Sequence, residues 1–495
     1  MNFTKSQIKE VTGVLKGFMG RGVDSGRKLA GFLKQRYGSD VEARALVPAF
    51  LSSVITELFV NHKPELGFYS FQRYSAKEFP TAQRTKKPGP GSAKGERSRS
   101  RSIVSEYDDK KTQLKIRSYK FSITGFLKTV TERFGSDMGV SNFAIDDQVT
   151  RDAMEFGADE TNFALKYGSA IANPYDYDGV LNVIEDSNRI QLFTAGVPQA
   201  PTTIEFLDDI LSKAEKKNGK MLMIECSHQM ARVLGRLENI TKKLDVTRLD
   251  PQKRIEVPGG YVMTSYDGYP IAKTSLSGGE DAGDMSSVAL SSTSTGGFLP
   301  DGSYNVQVSY LGYPGGESMA SSVSNIVLAA GNATQKITCT FAPPEIDGVA
   351  QAHYYRVYVE NTGNVYDRTL KDIVRAFTYT DGEQTGEITN FDILTLTVLQ
   401  TDAAWNSRND LPLTSVGGIN SEIIQIIDYD AAGQGLGRVV YSNNTGSMVD
   451  GLWELRPTST DDDFEQWLAK SYHALSPEYV KSSFVIRGVL PVVGT

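Results

Sequence analysis

The sequence predicts an α+β chain with an all-β sandwich inserted into it. Three observations carry that prediction. Helix-spaced apolar stripes and period-two strands follow one another through the first half of the chain. From Ser277 to Glu387 the composition turns to Ser, Gly and Thr, and only strand alternation persists. After Glu387 the α+β character returns.

The bulk properties bound the possibilities. At 495 residues, with 40% hydrophobic and 10% aromatic content, the chain is long enough for two or three domains with real cores. A net charge of -7 excludes a protein whose overall field attracts nucleic acid, so any such contact is local. Cys226 and Cys339 are too few for a disulfide framework and suit a reducing compartment. The first residues lack the sections of a signal peptide and no apolar run is long enough to span a bilayer, so the expectation is a soluble chain without membrane partners.

The first sixty residues read as helical pieces, with stripes through Ile8, Val11, Leu15 and Phe18 and through Leu46, Phe50, Val54 and Leu58. Strand alternation follows over Phe68 to Phe79 and again from Val104 to Ile123. Between them Thr81 to Ser102 is rich in Gly, Pro, Ser, Lys and Arg, which cannot form a packed core. The unit therefore reads as a two-stranded ribbon with a basic tip, whose cations are Arg84, Lys86, Lys87, Lys94, Arg97, Arg99 and Arg101.

A long helix is predicted from near Asp146, with Val149, Phe156, Phe163 and Tyr167 on one packed stripe and Gly168 ending it. Gly157 inside it costs about 1 kcal/mol relative to Ala, so a close neighbour is expected there. Thr202 and Glu205 have capping-box spacing before a helix through Leu207 and Leu211 that Asn218 and Gly219 close. A buried strand at Met221 to Ile224, a helix capped by Ser227, and strands around Tyr261 and Tyr269 complete an α+β unit. Beyond the sandwich, strands are expected near Glu422 to Ile427, Gly437 to Tyr441, Trp453 to Leu455 and Val485 to Arg487.

Catalytic chemistry leaves little trace. The four histidines show no paired metal-ligand spacing, and no cofactor cradle is present, so the expectation is a non-enzyme with no cofactor and no metal. A thiol and imidazole pair at Cys226 and His228 is outweighed by a buried thiol beside a helix cap. Gly433 to Gly437 resembles a phosphate loop only superficially, because strand follows it. Asp461 to Asp463 before Phe464, Trp467 and Leu468 fits a helix N-terminus.

The order of helical arm, basic-tipped ribbon, long helix, α+β body and returning strands resembles the major capsid proteins of tailed bacteriophages, the Hong Kong 97-like fold. Three segments carry the likeness: Asp146 to Gly168 with Asn173 to Asn182, Ile204 to Leu237, and Ser471 to Val480 with Phe484 to Val489. The resemblance implies an N-terminal arm over 1–66, an E-loop ribbon over 67–123, a spine helix and peripheral domain over 124–182, and an axial domain over 183–276 and 388–450. Peripheral-domain strands over 451–495 close the chain. Residues 277–387 resemble immunoglobulin or fibronectin type III modules and are expected to fold independently. The family also implies a homo-oligomer of hexamers and pentamers in an icosahedral virion shell, assembled in the host cytoplasm. Portal, scaffolding or decoration proteins would be its partners, and packaged double-stranded DNA would be met by non-specific contact. The alternatives are a tail-tube or decoration protein, or a carbohydrate-binding module on a carrier.

Overall fold

A computed structural model describes residues 66, 69–74, 77–86, 106–124, 145–200, 204–217, 219, 221–242, 255–257, 261–266, 269–279, 283–312, 315–330, 334–346, 349–360, 369–380, 383–394, 410–429, 437–442, 447–449, 453–458 and 464–492. The expected helical arm and most of the basic tip lie outside these residues. The described chain divides into two compact units. One is drawn from 116–160 and 443–472, and the other from 63–115, 161–442 and 473–495.

In the smaller unit, strand Trp453–Thr458 pairs antiparallel with strand Phe464–Leu475 in the register Trp453↔Ser471 to Thr458↔Gln466. The helix expected after Asp463 is therefore a strand. Phe464, Trp467 and Leu468 have helical spacing, but ladder pairing to a Trp-bearing neighbour overrides so short a period.

The long helix spans Ile145–Tyr167. Gly157 admits a neighbour as expected: a Cβ there would stand 3.1 Å from the Trp453 indole nitrogen. Trp453 also stacks on Tyr119, ring centroids 5.1 Å apart. Phe156 corrects the expected stripe. It is 41% exposed and touches Tyr119 edge-on, because the position packed against Trp453 is the glycine one residue later. The Val149 side chain lies outside the described ones.

The helix's last turns, in the larger unit, are buried on every side, Thr161, Asn162 and Lys166 included. Phe163 and Tyr167 are each 1% exposed. Gly168 follows for a reason other than a left-handed cap, since a Cβ there would come 2.4 Å from the Tyr177 carbonyl.

The larger unit is built on a seven-stranded mixed sheet, ordered Arg189–Gln191, Phe484–Val489, Glu422–Asp428, Leu222–Cys226, Tyr269–Lys273, Tyr261–Tyr266, Ile255–Val257. The last strand of the chain, expected with the peripheral strands, thus pairs with Arg189–Gln191 and Glu422–Asp428. Strand alternation gives this sheet two different faces. Leu222, Ile224, Ile424, Ile426, Phe484 and Ile486 form one core with helices Ile204–Lys216 and His228–Lys242. Ser227 caps the second helix, accepting from Met230 N–H at 3.0 Å. The opposite face carries Arg189, Gln191, Glu225, Gln425 and Arg487.

Between residues 289 and 393 lie two antiparallel sheets around a second core that includes Tyr304, Val306, Ile337, Val357 and Phe391. One has Ala289–Thr293, Lys336–Thr340 and Asn390–Ile393; the other centres on Gly302–Gly312 and Ala352–Glu360. The expected boundary at 387 falls short, because Asn390–Ile393 pairs with Lys336–Thr340 and places Phe391 and Ile393 in that core.

Two predictions follow from this packing. Gly157→Leu drives a side chain into the Trp453 indole and should cost about 1 to 3 kcal/mol. Gly157→Ala should cost less, since its gain of about 1 kcal/mol in helix propensity offsets a tight contact. Thermal unfolding of both variants orders them, and equal midpoints would refute the close approach.

Asp372 is half-buried on strand Thr369–Arg375, and burial pushes its carboxyl up to about 6. The folded chain then holds a proton that the unfolded chain releases near pH 4, so stability falls as pH rises from about 4 to about 6. Asp372→Asn should flatten that slope and raise the melting temperature at pH 7.5, an effect on the order of 1 to 2 kcal/mol. An unchanged slope between pH 5 and 7 would count against it.

Candidate functional site: a paired ribbon and a buried polar face

The ribbon is formed by Glu78–Lys86 and Glu106–Gln113, antiparallel, from Glu78↔Gln113 to Lys86↔Glu106. It continues five residues beyond the Thr81 at which its tip was expected to begin. Arg84 and Lys86 therefore stand on a strand, opposite Tyr107 and Glu106. Lys87, Lys94, Arg97, Arg99 and Arg101 lie outside the described residues. Residues 70–73, expected as ribbon, instead pair in parallel with Arg438–Tyr441. Leu114, buried, breaks the second run and donates its N–H to the Lys77 carbonyl at 3.0 Å.

Among the described residues neither ribbon strand has a third strand beside it. Pro80 fits that position, because it lacks an N–H and is confined to edges. The ribbon root is held by the body. Phe79 packs edge-on against Tyr74 at 4.9 Å with the Arg438 guanidinium 6.0 Å above its ring, and Thr112 donates to Ser476 Oγ at 3.1 Å.

The second arrangement occupies the polar face of the seven-stranded sheet. Lys166, from the long helix, meets Glu225 Oε2 at 2.6 Å with both side chains wholly enclosed, and donates to Thr274 Oγ1 at 3.1 Å. Tyr429 donates to the other Glu225 oxygen and packs edge-on with Tyr69 at 4.9 Å. Burial first, and then the Glu225 charge, push the Tyr429 hydroxyl well above the usual phenol range.

Next to this, Glu317 accepts a two-pronged bond from Arg487 at 2.8 Å and 2.8 Å, and a third at 2.8 Å from Arg356. Tyr358 donates to it as well. Burial alone would raise the Glu317 carboxyl; Arg356 and Arg487 reverse this and hold it below the usual carboxylate range. Asp410 joins Arg189 at 2.8 Å and Arg356 at 3.5 Å. Tyr167 donates to the Leu276 carbonyl at 2.6 Å beside this cluster.

These enclosed charges are paired with one another. The Cys226 thiol is buried on the apolar face, and burial pushes it far above the usual thiol range, whereas His228 is exposed. The two do not form a nucleophilic pair. Sequence reading missed the charge cluster because its members are separated by up to 298 positions, from Arg189 to Arg487, and each sits singly in a strand or loop. The one available signal is a charge within a run of aromatic and β-branched residues: Arg356 stands between Tyr354 and Tyr358 on strand Ala352–Glu360.

The Lys166–Glu225 pair yields a direct test. Lys166→Met leaves a carboxylate buried with only a phenol beside it and should cost roughly 3 to 5 kcal/mol. The double variant Lys166→Met/Glu225→Gln should recover more than half of that loss in a denaturant-unfolding cycle. Additive costs would mean that the two side chains do not interact.

No family model matches the chain, and no curated protein matches it. Solved structures resemble it over most of its length. The SrpI encapsulin complex of Synechococcus elongatus PCC 7942 is 9% identical with a TM-score of 0.43, over 92% of this chain and 98% of that one. The capsid asymmetric unit of cyanophage A-1(L) is 11% identical with a TM-score of 0.43, over 88% and 95%. The procapsid of satellite phage P4 is 7% identical with a TM-score of 0.35, over 90% and 99%.

Proposed function

We propose that this chain is the major capsid protein of a tailed bacteriophage, with a Hong Kong 97-like fold, that assembles into hexamers and pentamers of an icosahedral shell around double-stranded DNA. The ribbon carries the reading. A two-stranded hairpin is marginal in water by itself, so eight cross-strand pairs with no third strand beside them among the described residues call for a covering partner. Charges at Asp108, Asp109, Lys110 and Lys111 discourage indiscriminate edge pairing, which suits one specific partner, a neighbouring copy. The succession of ribbon, long helix and mixed sheet supports the same reading. The two sheets over 289–393 act as an immunoglobulin-like module inserted in this body. Portal, scaffolding or decoration proteins complete the particle.

In this reading the ribbon tip docks on an acidic surface of an adjacent subunit. The full chain, expressed and viewed by negative-stain electron microscopy, should form closed particles, and light scattering should give a mass of many copies; a monodisperse monomer at all concentrations would overturn the proposal. Exchanging Arg97, Arg99 and Arg101 for Gln should lower particle yield at low salt while leaving subunit folding unchanged. Normal yield with less packaged DNA would assign the tip to nucleic acid instead.

A further inference from the structure

The enclosed charges are divided between segments of the chain in a way that bears on folding. Arg189 and Arg487 stand on neighbouring strands of the seven-stranded sheet, on the face turned away from its two helices. Glu317, Arg356 and Tyr358 belong to the two-sheet unit over 289–393. Asp410 follows that unit, and its backbone carbonyl accepts from Leu370 N–H of the unit at 3.0 Å. Glu317 is therefore the carboxylate that neutralises Arg487, through both of its oxygens. Without the two-sheet unit, Arg487 keeps only the Leu411 carbonyl, at 3.1 Å, among the bonds described for it.

A guanidinium buried without a bonded counter-charge is strongly disfavoured; Asp410 attracts Arg487 less than Glu317 does and makes no described bond to it, so Glu317 is what chiefly holds Arg487 at its sheet position. The approach is shaped for this. Gly316, at φ +78, brings the strand end so near that a Cβ would lie 2.6 Å from the Leu276 carbonyl and 2.7 Å from the Tyr167 hydroxyl. Tyr354 of the same unit donates to Asp176, and Phe163 of the long helix packs 4.5 Å from His353.

We propose that the two-sheet unit is a folding checkpoint for the body: its docking supplies the carboxylate that lets the seven-stranded sheet close over Arg487, so the body becomes stable only once the unit has folded onto it. The unit is then an obligatory part of the body and not a removable ornament, contrary to the independent folding expected of residues 277–387. The inference stands whether or not the chain forms shells.

Hydrogen exchange on the full chain, followed by mass spectrometry, tests it. In Glu317→Gln, peptides covering 222–226, 422–428 and 484–489 should exchange at least about tenfold faster, together with those of the two-sheet unit. The triple variant Glu317→Leu/Arg356→Met/Arg487→Met removes the charges jointly and should return body exchange to within about threefold of the parent. Parent-like body exchange in Glu317→Gln while only 302–312 and 352–360 loosen would overturn the checkpoint. So would a triple variant as unprotected as the single one, since the loss would then come from altered packing and not from an unpaired charge.

Discussion

Enclosing Glu317 between Arg356 and Arg487 takes three charges out of water, and the larger unit is arranged so that none of them is left without a partner. The desolvation cost of such a group is several kcal/mol per ion, and only close, two-pronged geometry offsets it. That geometry fixes where the neighbouring elements stand. The strand bearing Arg487 must lie beside that bearing Arg189, the two-sheet unit must present Glu317 at one point, and the loop at Asp410 must pass between them.

The seven-stranded sheet therefore works as a divider between two kinds of packing. On its helix side burial is apolar and additive, each side chain contributing in proportion to the area it removes from water. On its other side, from Tyr69 through Tyr429, Glu225 and Lys166 to Glu317 and Asp410, burial is polar and conditional, because each group depends on a specific partner. Tyr69 immediately precedes the strand that leads toward the ribbon, so the ribbon root is tied to the conditional side. A root held by directional bonds fixes the pose of the ribbon more closely than apolar contact would, because such bonds tolerate less variation.

Much of this order is legible in the chain. The long helix, the capped helix after Ser227, the strands at 222–226 and 422–428 and the break in character after Ser277 all follow from periodicity and caps, which are local signals. What escaped reading was non-local. The pairing of Asn390–Ile393 back to Lys336–Thr340, and of Phe484–Val489 between 189–191 and 422–428, depends on sheet order, to which no local period corresponds. Phe156 illustrates a different limit. Its spacing is correct for a buried stripe, yet which face is covered depends on Trp453, nearly three hundred residues away. The ribbon is recognisable as a ribbon, but Lys and Arg that read as loop are equally at home on a charged edge strand, so its paired stretch lies further toward the tip than alternation alone places it.

The choice of charge over hydrocarbon at the junction can be argued from the state before docking. An apolar underside on the two-sheet unit, and a matching apolar face on the sheet, would give more stability for the same buried area. Those faces would also be sticky in every orientation while the chain was incompletely folded, which exposes the chain to mispairing within itself and with other chains. Arginine and glutamate faces stay hydrated until they meet in register. A one-residue slip of the strand bearing Arg487 would turn its guanidinium to the apolar side, where Ile486 and Phe484 now lie, and bury it with no carboxylate. The penalty for that slip is large, whereas an all-apolar strand would tolerate it with little loss, so the charged residues set the register of the sheet as well as the position of the unit that docks on it.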